Sequence, residues 1–472
     1  MFKLFSVHSI LISLSLFTLS QAQSTPIYKI RSISPVSRDN HLQSAQLRSA
    51  AIPEAQFSLP ISGRSKRRGV KTHLLEVLRH AITGERKGGS TTALAASNFD
   101  TEYLVNITIG GSQFSMVMDT GSSDLWVPTT NFTCVNLTSQ VVSQEECLFG
   151  PLFNPSSSKS FQSVPDVNFK ILYGGGEFVT GTAGKDTVTI AGMTVPGQEF
   201  GVVDRATWFG DGINSGTFGL AYPLLTSVYP GTDSSNDFFP SAAAYTPFPF
   251  TAVKKGILKA PFFSIALNRG TFQQETQDAF DPNFGFLSFG GMPPVPVTKI
   301  STVAPIQGYD ITTFTPSNTT NATSLFYTVD IQEFAFAGSN LTNSTFNNNV
   351  MFDTGATLSF LPTFIADAFA AAVNPPGQFD PNQGAYVTSC DAVVPEFYVR
   401  IHDTTFTVDP RDNILPLGTD EDGNEVCMLG TSDGGSGING GLFILGDSFL
   451  HNVVTTFDIQ ENEITITQRQ NY

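Results

Sequence analysis

Two short stretches decide the reading of this chain: Met118-Asp119-Thr120-Gly121-Ser122-Ser123 and Phe352-Asp353-Thr354-Gly355-Ala356-Thr357. Apolar residues lead into each copy (Phe114, Met116 and Val117; Val350 and Met351) and follow it (Leu125-Trp126-Val127; Leu358, Phe360 and Leu361). Each is trailed by a second landmark, Phe218-Gly219-Leu220-Ala221 and Ile444-Leu445-Gly446-Asp447, with the glycine 100 and 93 residues after the respective aspartate. Asp and Gly are ordinary turn residues, so a single copy would mark only a turn. Two copies in matching apolar frames describe a body of two similar halves, each presenting one Asp on a tight turn after a strand. Two carboxylates meeting on a two-fold axis cannot both ionise cheaply, so they share a proton. One can then serve as base and the other as acid toward a water between them.

Outward from these turns the body reads as all-β. Tyr103, Val105, Ile107 and Ile109 alternate with Leu104, Asn106 and Thr108, a strand pattern. Similar runs occur at 186–190, 284–289, 327–336 and 463–467, with Gly and Pro punctuating the gaps. Helical pattern is scarce; the best stretch is 363–373, which follows Pro362.

Charge divides the chain. The 472 residues carry 25 Lys and Arg against 41 Asp and Glu, a formal net charge of −16. That sign argues against a nucleic-acid partner, which needs a basic footprint. Residues 23–92 nevertheless hold +8, and residues 93–472 hold −25. A basic block ahead of an acidic body has a polyanion available in its own chain. Within it, Ser65-Lys66-Arg67-Arg68 and Arg86-Lys87 are protease-sensitive in type. Val70, Leu74, Leu75, Leu78 and Ile82 recur at helical spacing, which predicts a short basic helix. Residues 1–22 read as a signal peptide: Lys3, an apolar run from Phe5 to Leu19, and the small-residue site Ser20-Gln21-Ala22. No other stretch is apolar enough to span a bilayer, so no membrane partner is expected.

Six His and four Cys leave little material for metal cages or for Ser/His and Cys/His nucleophilic sites, and no metal or cofactor is expected. Gly430-Thr431-Ser432-Asp433-Gly434 matches a serine-hydrolase elbow, but it sits in a Gly-rich loop with only His402 and His451 in the body to act as base. Cys134, Cys147, Cys390 and Cys427 allow three pairings, of which the two local ones are favoured. Sequons occur at Asn106, Asn131, Asn136, Asn318, Asn321, Asn340 and Asn343, in keeping with a secretory-pathway surface.

These features resemble the pepsin-like aspartic endopeptidases in their secreted fungal form, whose paired aspartates are the standard example of carboxyls sharing one proton. The resemblance covers about residues 100–472, and the signal peptide and basic leader match the family's layout. It implies two pseudo-twofold-related β lobes, 93–265 and 266–472, with a central cleft and a flap hairpin, behind a pro-segment at 23–92. Asp119 and Asp353 would be catalytic, supported by Thr120, Gly121, Ser122, Thr354 and Gly355. Ile171-Leu172-Tyr173-Gly174-Gly175-Gly176 resembles the flap, with Tyr173 at its tyrosine and Trp126 at the tryptophan that bonds the tyrosine's hydroxyl. Gly175, Trp208, Phe218 and Thr357 would join them in substrate binding. Both local Cys pairs suit family disulfides. The partners implied are polypeptide substrates and the protein's own pro-segment. The protein would act as a monomer, outside the cell or alternatively in a vacuole. Four features depart from the pattern: Ala356 stands where many members carry Thr or Ser, residues 223–259 are long, and so are the loop around Asn318 to Ser324 and the Cys134–Cys147 loop.

Overall fold

A computed structural model of the chain describes residues 52–66, 100–173, 177–237, 242–269, 280–311, 315–317, 322–337, 349–381, 383–419, 423–435 and 442–472. The expected basic helix at 70–82 and the sequons from Asn318 to Asn343 lie outside them. Strands dominate, as the period-2 patterns predict. In chain order the first twelve are β1 (Phe57–Lys66), β2 (Asp100–Ile109), β3 (Ser112–Asp119), β4 (Leu125–Cys134), β5 (Gln162–Leu172), β6 (Phe178–Ile190), β7 (Met193–Thr207), β8 (Asn214–Gly219), β9 (Val228–Pro230), β10 (Phe262–Leu267), β11 (Phe280–Phe289) and β12 (Val297–Pro305).

One large sheet of 14 strands runs β12, Glu463–Arg469, Val453–Asp458, β10, β11, β1, β2, β3, β8, β4, β7, β6, β5, β9. A second sheet of five strands carries the later Asp-Thr-Gly copy and contains Asn349–Phe352, Leu442–Leu445 and Ser359–Leu361. The two halves repeat one local topology. The strand ending at Asp119 pairs parallel with β8, matching Asp119 with Gly219; the strand ending at Phe352 pairs parallel with Leu442–Leu445. The landmarks spaced along the sequence are thus direct strand neighbours of the two turns.

The stretch 327–336 forms two short strands, Thr328–Asp330 and Glu333–Phe336, rather than one. The helix foreseen at 363–373 is present as Thr363–Ala372, with Pro362 at its N-cap. Its Ile365, Ala366, Phe369 and Ala370 are buried, the i, i+1, i+4, i+5 face that such a surface helix turns inward. The long stretch 223–259 holds β9 and a helix, Phe248–Lys254, whose Phe248 packs on Phe218 and Phe289. Abundant Phe explains how a strand-rich body fills its core: Phe263 stacks on Phe457 with ring centres 4.6 Å apart, and Tyr327 leans on both. Such aromatic pairs add to the burial of large apolar area. Both local disulfides form, Cys134–Cys147 and Cys390–Cys427.

Part of the basic leader is built into this architecture. β1 pairs antiparallel with β11 from Phe57–Phe289 onward and with β2 from Ser62–Leu104 to Lys66–Asp100. Leu59 and Ile61 point into the main core. Within the described residues, β1 is the only strand joining β11 to β2.

A buried polar knot fixes the C-terminal end. Arg269 grips Asp412 through two bonds of 2.7 Å, His451 Nδ1 meets the same carboxylate at 2.9 Å, and Asn452 donates to it at 2.7 Å. Burial alone would raise the Asp412 carboxyl, but His451 and Arg269 hold it below the usual range. His451 Nε2 in turn meets the Tyr103 hydroxyl on β2.

Candidate active site

Asp119 and Asp353 come together at the base of the molecule's two-fold arrangement, each only 6% exposed. Their turns interlock. The Thr120 hydroxyl donates to the Phe352 carbonyl at 2.9 Å and accepts from the Thr354 amide at 3.0 Å. The Thr354 hydroxyl donates to the Met118 carbonyl at 3.0 Å and accepts from the Thr120 amide at 3.1 Å. Each threonine therefore uses one hydroxyl to lock the opposite turn, which satisfies buried backbone groups that the tight turns leave without ladder partners. The result fixes both carboxyls on a rigid base.

The glycines are dictated by closeness. A Cβ on Gly121 would sit 2.6 Å from an Asp353 oxygen, and one on Gly355 would sit 2.7 Å from an Asp119 oxygen. No side chain fits there. Their amides serve the carboxyls instead: Gly121 N donates to Asp119 Oδ1 at 2.7 Å, and Gly355 N to Asp353 Oδ1 at 2.8 Å.

The symmetry breaks one residue later. Ser122 Oγ donates to Asp119 Oδ2 at 2.5 Å, whereas the matching residue is Ala356, a buried methyl group packed with Leu358 and Ile444. Asp119 thus has a hydroxyl donor that Asp353 lacks. Burial, the neighbouring Asp119 charge and a bond from the Asp119 side chain push the Asp353 carboxyl well above the usual carboxylate range; the amides of Gly355 and Gly121 pull the other way and lose. Chemically, this is a buried pair of carboxyls, one of which holds its proton tightly. Such a pair can accept a proton from water and give one to a leaving group.

Other site candidates fall into two groups. Tyr173 is buried at the end of β5, with burial and the Glu177 charge raising its hydroxyl well above the tyrosine range. It lies close enough to Asp119 to feel that charge. Trp208 sits edge-on to Tyr173 at 5.3 Å and to Trp126 at 5.1 Å, and Phe149 stacks on it at 5.4 Å. The bond expected between Trp126 and the Tyr173 hydroxyl is not formed: the Trp126 indole nitrogen is buried without a hydrogen-bond partner, and Trp208 packs against both rings. Gly175 lies outside the described residues. Phe218 is fully buried on β8, a strand buried along its whole length, and packs against Phe248 in the main core and not on a cleft wall; its frame position made it look like a cleft aromatic. Thr357 is buried, its carbonyl accepting from Ser448 N at 3.2 Å. Asn106 and Asn131 are exposed and Asn136 is half-buried.

Sequence reasoning missed Asp124, two residues beyond Ser122. It is 3% exposed, and both its oxygens accept from Ser227 N at 3.0 Å. Burial pushes its carboxyl up to about 6 against the opposing bonds from Ser227 and Tyr245. An acidic residue flanked by Ser123 and Leu125 gave no signal of this, because its partners come from the long stretch 223–259.

The residues from 102 to 469 match the family described as eukaryotic aspartyl protease. The chain belongs to that family. It is an aspartic-type endopeptidase, and its relatives carry names to match. A probable aspartic-type endopeptidase of Aspergillus fumigatus is 36% identical over 363 residues, 77% of each chain. Rhizopuspepsin of Rhizopus chinensis is 26% identical over 435 residues, covering 88% of this protease and 94% of its own length. Among solved structures, the aspartic proteinase of Irpex lacteus superposes with a TM-score of 0.59 at 19% identity, covering 88% of the protease and 97% of the fungal enzyme. That likeness carries the all-β, bilobal fold. No helix among the described residues of the protease is long and apolar enough to cross a membrane.

Proposed function

We propose that the protein is the zymogen of a secreted acid endopeptidase, in which Asp119 and Asp353 activate a water to cleave peptide bonds between large apolar residues. The observation that carries this reading is the interlocked carboxyl pair with its single hydroxyl donor at Asp119. Ser122 and Gly121 donate to Asp119, and the high affinity of Asp353 for a proton makes it the holder of the shared one. In the first step the Asp119 carboxylate takes a proton from water, the water oxygen bonds to the substrate carbonyl carbon, and Asp353 passes its proton to the carbonyl oxygen. A tetrahedral gem-diol results, with no covalent link to the enzyme. In the second step Asp119 returns its proton to the amide nitrogen, Asp353 regains one from a gem-diol hydroxyl, and the C–N bond breaks. The dyad ends as it began.

Tyr173 and Trp208 support a preference for large apolar side chains beside the scissile bond. Residues 1–22 would be removed as a signal peptide, and 23–92 would act as a basic pro-segment held to the acidic body. Its attraction weakens as carboxylates protonate, so processing should begin below about pH 5. The mature enzyme would be a glycosylated monomer, extracellular or alternatively vacuolar. The test is the secreted protein incubated at acid pH with a peptide library, with and without a statine-type inhibitor, beside its Asp119→Asn and Asp353→Asn forms. Inhibitor-sensitive cleavage that each substitution lowers by several orders of magnitude in kcat is expected. A folded single variant retaining a tenth of the rate would remove the dyad assignment.

A further inference from the structure

Glu177 is a buried acidic side chain, 4% exposed, that the two-step chemistry of the carboxyl pair does not use. Taking a carboxyl out of water is costly unless its oxygens find donors. The sheet explains what this one receives. Leu172 pairs with Phe178 across β5 and β6, and Phe178 pairs with Thr207 across β6 and β7. The three strands therefore stop at one level, and the residues just beyond them are Tyr173, Glu177 and Trp208.

Glu177 ties these strand ends together twice. Its carbonyl accepts from Tyr173 N at 2.8 Å, which adds a rung to the β5–β6 ladder. Its side-chain Oε1 accepts from Phe209 N at 2.8 Å, reaching the residue after Trp208. The rings of Tyr173 and Trp208 then meet edge-on at 5.3 Å. The Glu177 charge raises the Tyr173 hydroxyl, and the Asp119 charge adds to that rise. One side chain thus sets where two aromatic rings stand, and one of those rings lies within reach of the Asp119 charge.

We infer that Glu177 is a positioning residue for peptide hydrolysis: its bond to Phe209 N fixes Trp208 against Tyr173 and so holds Tyr173 in place beside the Asp119–Asp353 pair. The inference rests on the endopeptidase reading above. What the position needs is an acceptor oxygen at the reach of a Glu side chain. A protonated carboxyl keeps acceptor capacity, so the tie holds in acid as well as at neutral pH. Gln offers the same acceptor on a stem of the same length. Asp keeps the acid group but is one methylene short, and Ala has no acceptor.

The experiment compares the activated wild-type enzyme with Glu177→Gln, Glu177→Ala and Glu177→Asp. It reads kcat and KM on one apolar peptide, the thermal melt and the intrinsic tryptophan emission. The chain has two Trp, Trp126 and Trp208, and their rings meet at 5.1 Å, so the emission reports on this cluster. Glu177→Ala and Glu177→Asp should each lower kcat about tenfold, since a misplacement of about 1 Å can cost a hundredfold. The loss should fall on kcat more than on KM, because the displaced ring stands beside the reacting carboxyls, and the emission should shift. Glu177→Gln should restore the wild-type kcat and emission. A wild-type kcat in Glu177→Ala, whatever its melt or KM, would show a merely structural tie and overturn the inference. Equal losses of kcat in Glu177→Ala and Glu177→Gln would overturn it too. If Glu177→Ala fails to fold, Glu177→Asp decides by the same readings. Wild-type protein that cleaves no peptide would instead overturn the endopeptidase reading, and this inference with it.

Discussion

Ala356→Ser places a hydroxyl where the second half of the molecule lacks one. The backbone is set to receive it: Ala356 N donates to the Asp353 carbonyl at 3.4 Å, and its own carbonyl accepts from Asp447 N at 2.8 Å. The new hydroxyl should then reach the Asp353 carboxylate as Ser122 reaches Asp119. A donor favours the charged form, so it lowers the pH at which Asp353 gives up the shared proton. Activity requires that proton, so the alkaline limb of the kcat/KM profile must move to lower pH. A net hydrogen bond of about 1 kcal/mol corresponds to a shift of about 0.7 unit. The two carboxyls titrate as a pair, so the shift belongs to the pair and divides between its two steps. The assay is kcat/KM against pH on an apolar peptide, with a thermal melt of each protein. A hydroxyl that failed to find the carboxylate would be buried and unsatisfied, costing about 1–3 kcal/mol and visible in the melt. A correctly folded Ala356→Ser protein with an unmoved or upward-shifted alkaline limb would show that this donor asymmetry does not govern the dyad.

Asp124, with its carboxyl pushed up to about 6, makes the fold bind a proton that the unfolded chain releases near 4. Stability should therefore fall as pH rises from about 4 to 6, by roughly 3 kcal/mol; Asp124→Asn should flatten that slope in urea titrations, and an unchanged slope would refute the assignment. Arg269→Met strips the buried Asp412 carboxylate of its two-pronged partner and should cost about 3–5 kcal/mol in denaturant unfolding, with His451 and Asn452 too few to compensate; a cost below about 1 kcal/mol would mean the knot is dispensable. Phe457→Ala removes the ring between Phe263 and Tyr327 and should cost about 3–5 kcal/mol, measured the same way.

The carboxyl pair was legible because a repeat is visible without any structure, and because Gly after Asp-Thr signals a turn too crowded for a side chain. The strands around it were legible through their alternation. The fate of Phe218 was not, since the landmark frame fixes its neighbours but not which face of β8 it occupies. Asp124 was hidden because its environment is assembled from residues a hundred positions later. The leader held the largest surprise. Its basic charge marked it as a separable arm, while the short alternation in Phe57-Ser58-Leu59-Pro60-Ile61 passed beneath notice, yet that stretch is strand β1.

The placement of β1 imposes a timetable on synthesis. Its Ser58 hydroxyl meets that of Ser288, a partner 230 residues away in the chain. At about 5–20 residues per second, a ribosome delivers that partner roughly 10–50 s after β1 itself. β2 arrives far sooner, so the β1–β2 hairpin can close early while the opposite edge of β1 waits with open backbone donors and acceptors. An unpaired edge is a template for the wrong strand. The nascent chain thus passes through a long interval in which its central sheet is half built and adhesive, and protection of that one edge during the interval governs how much of the protein reaches the folded state.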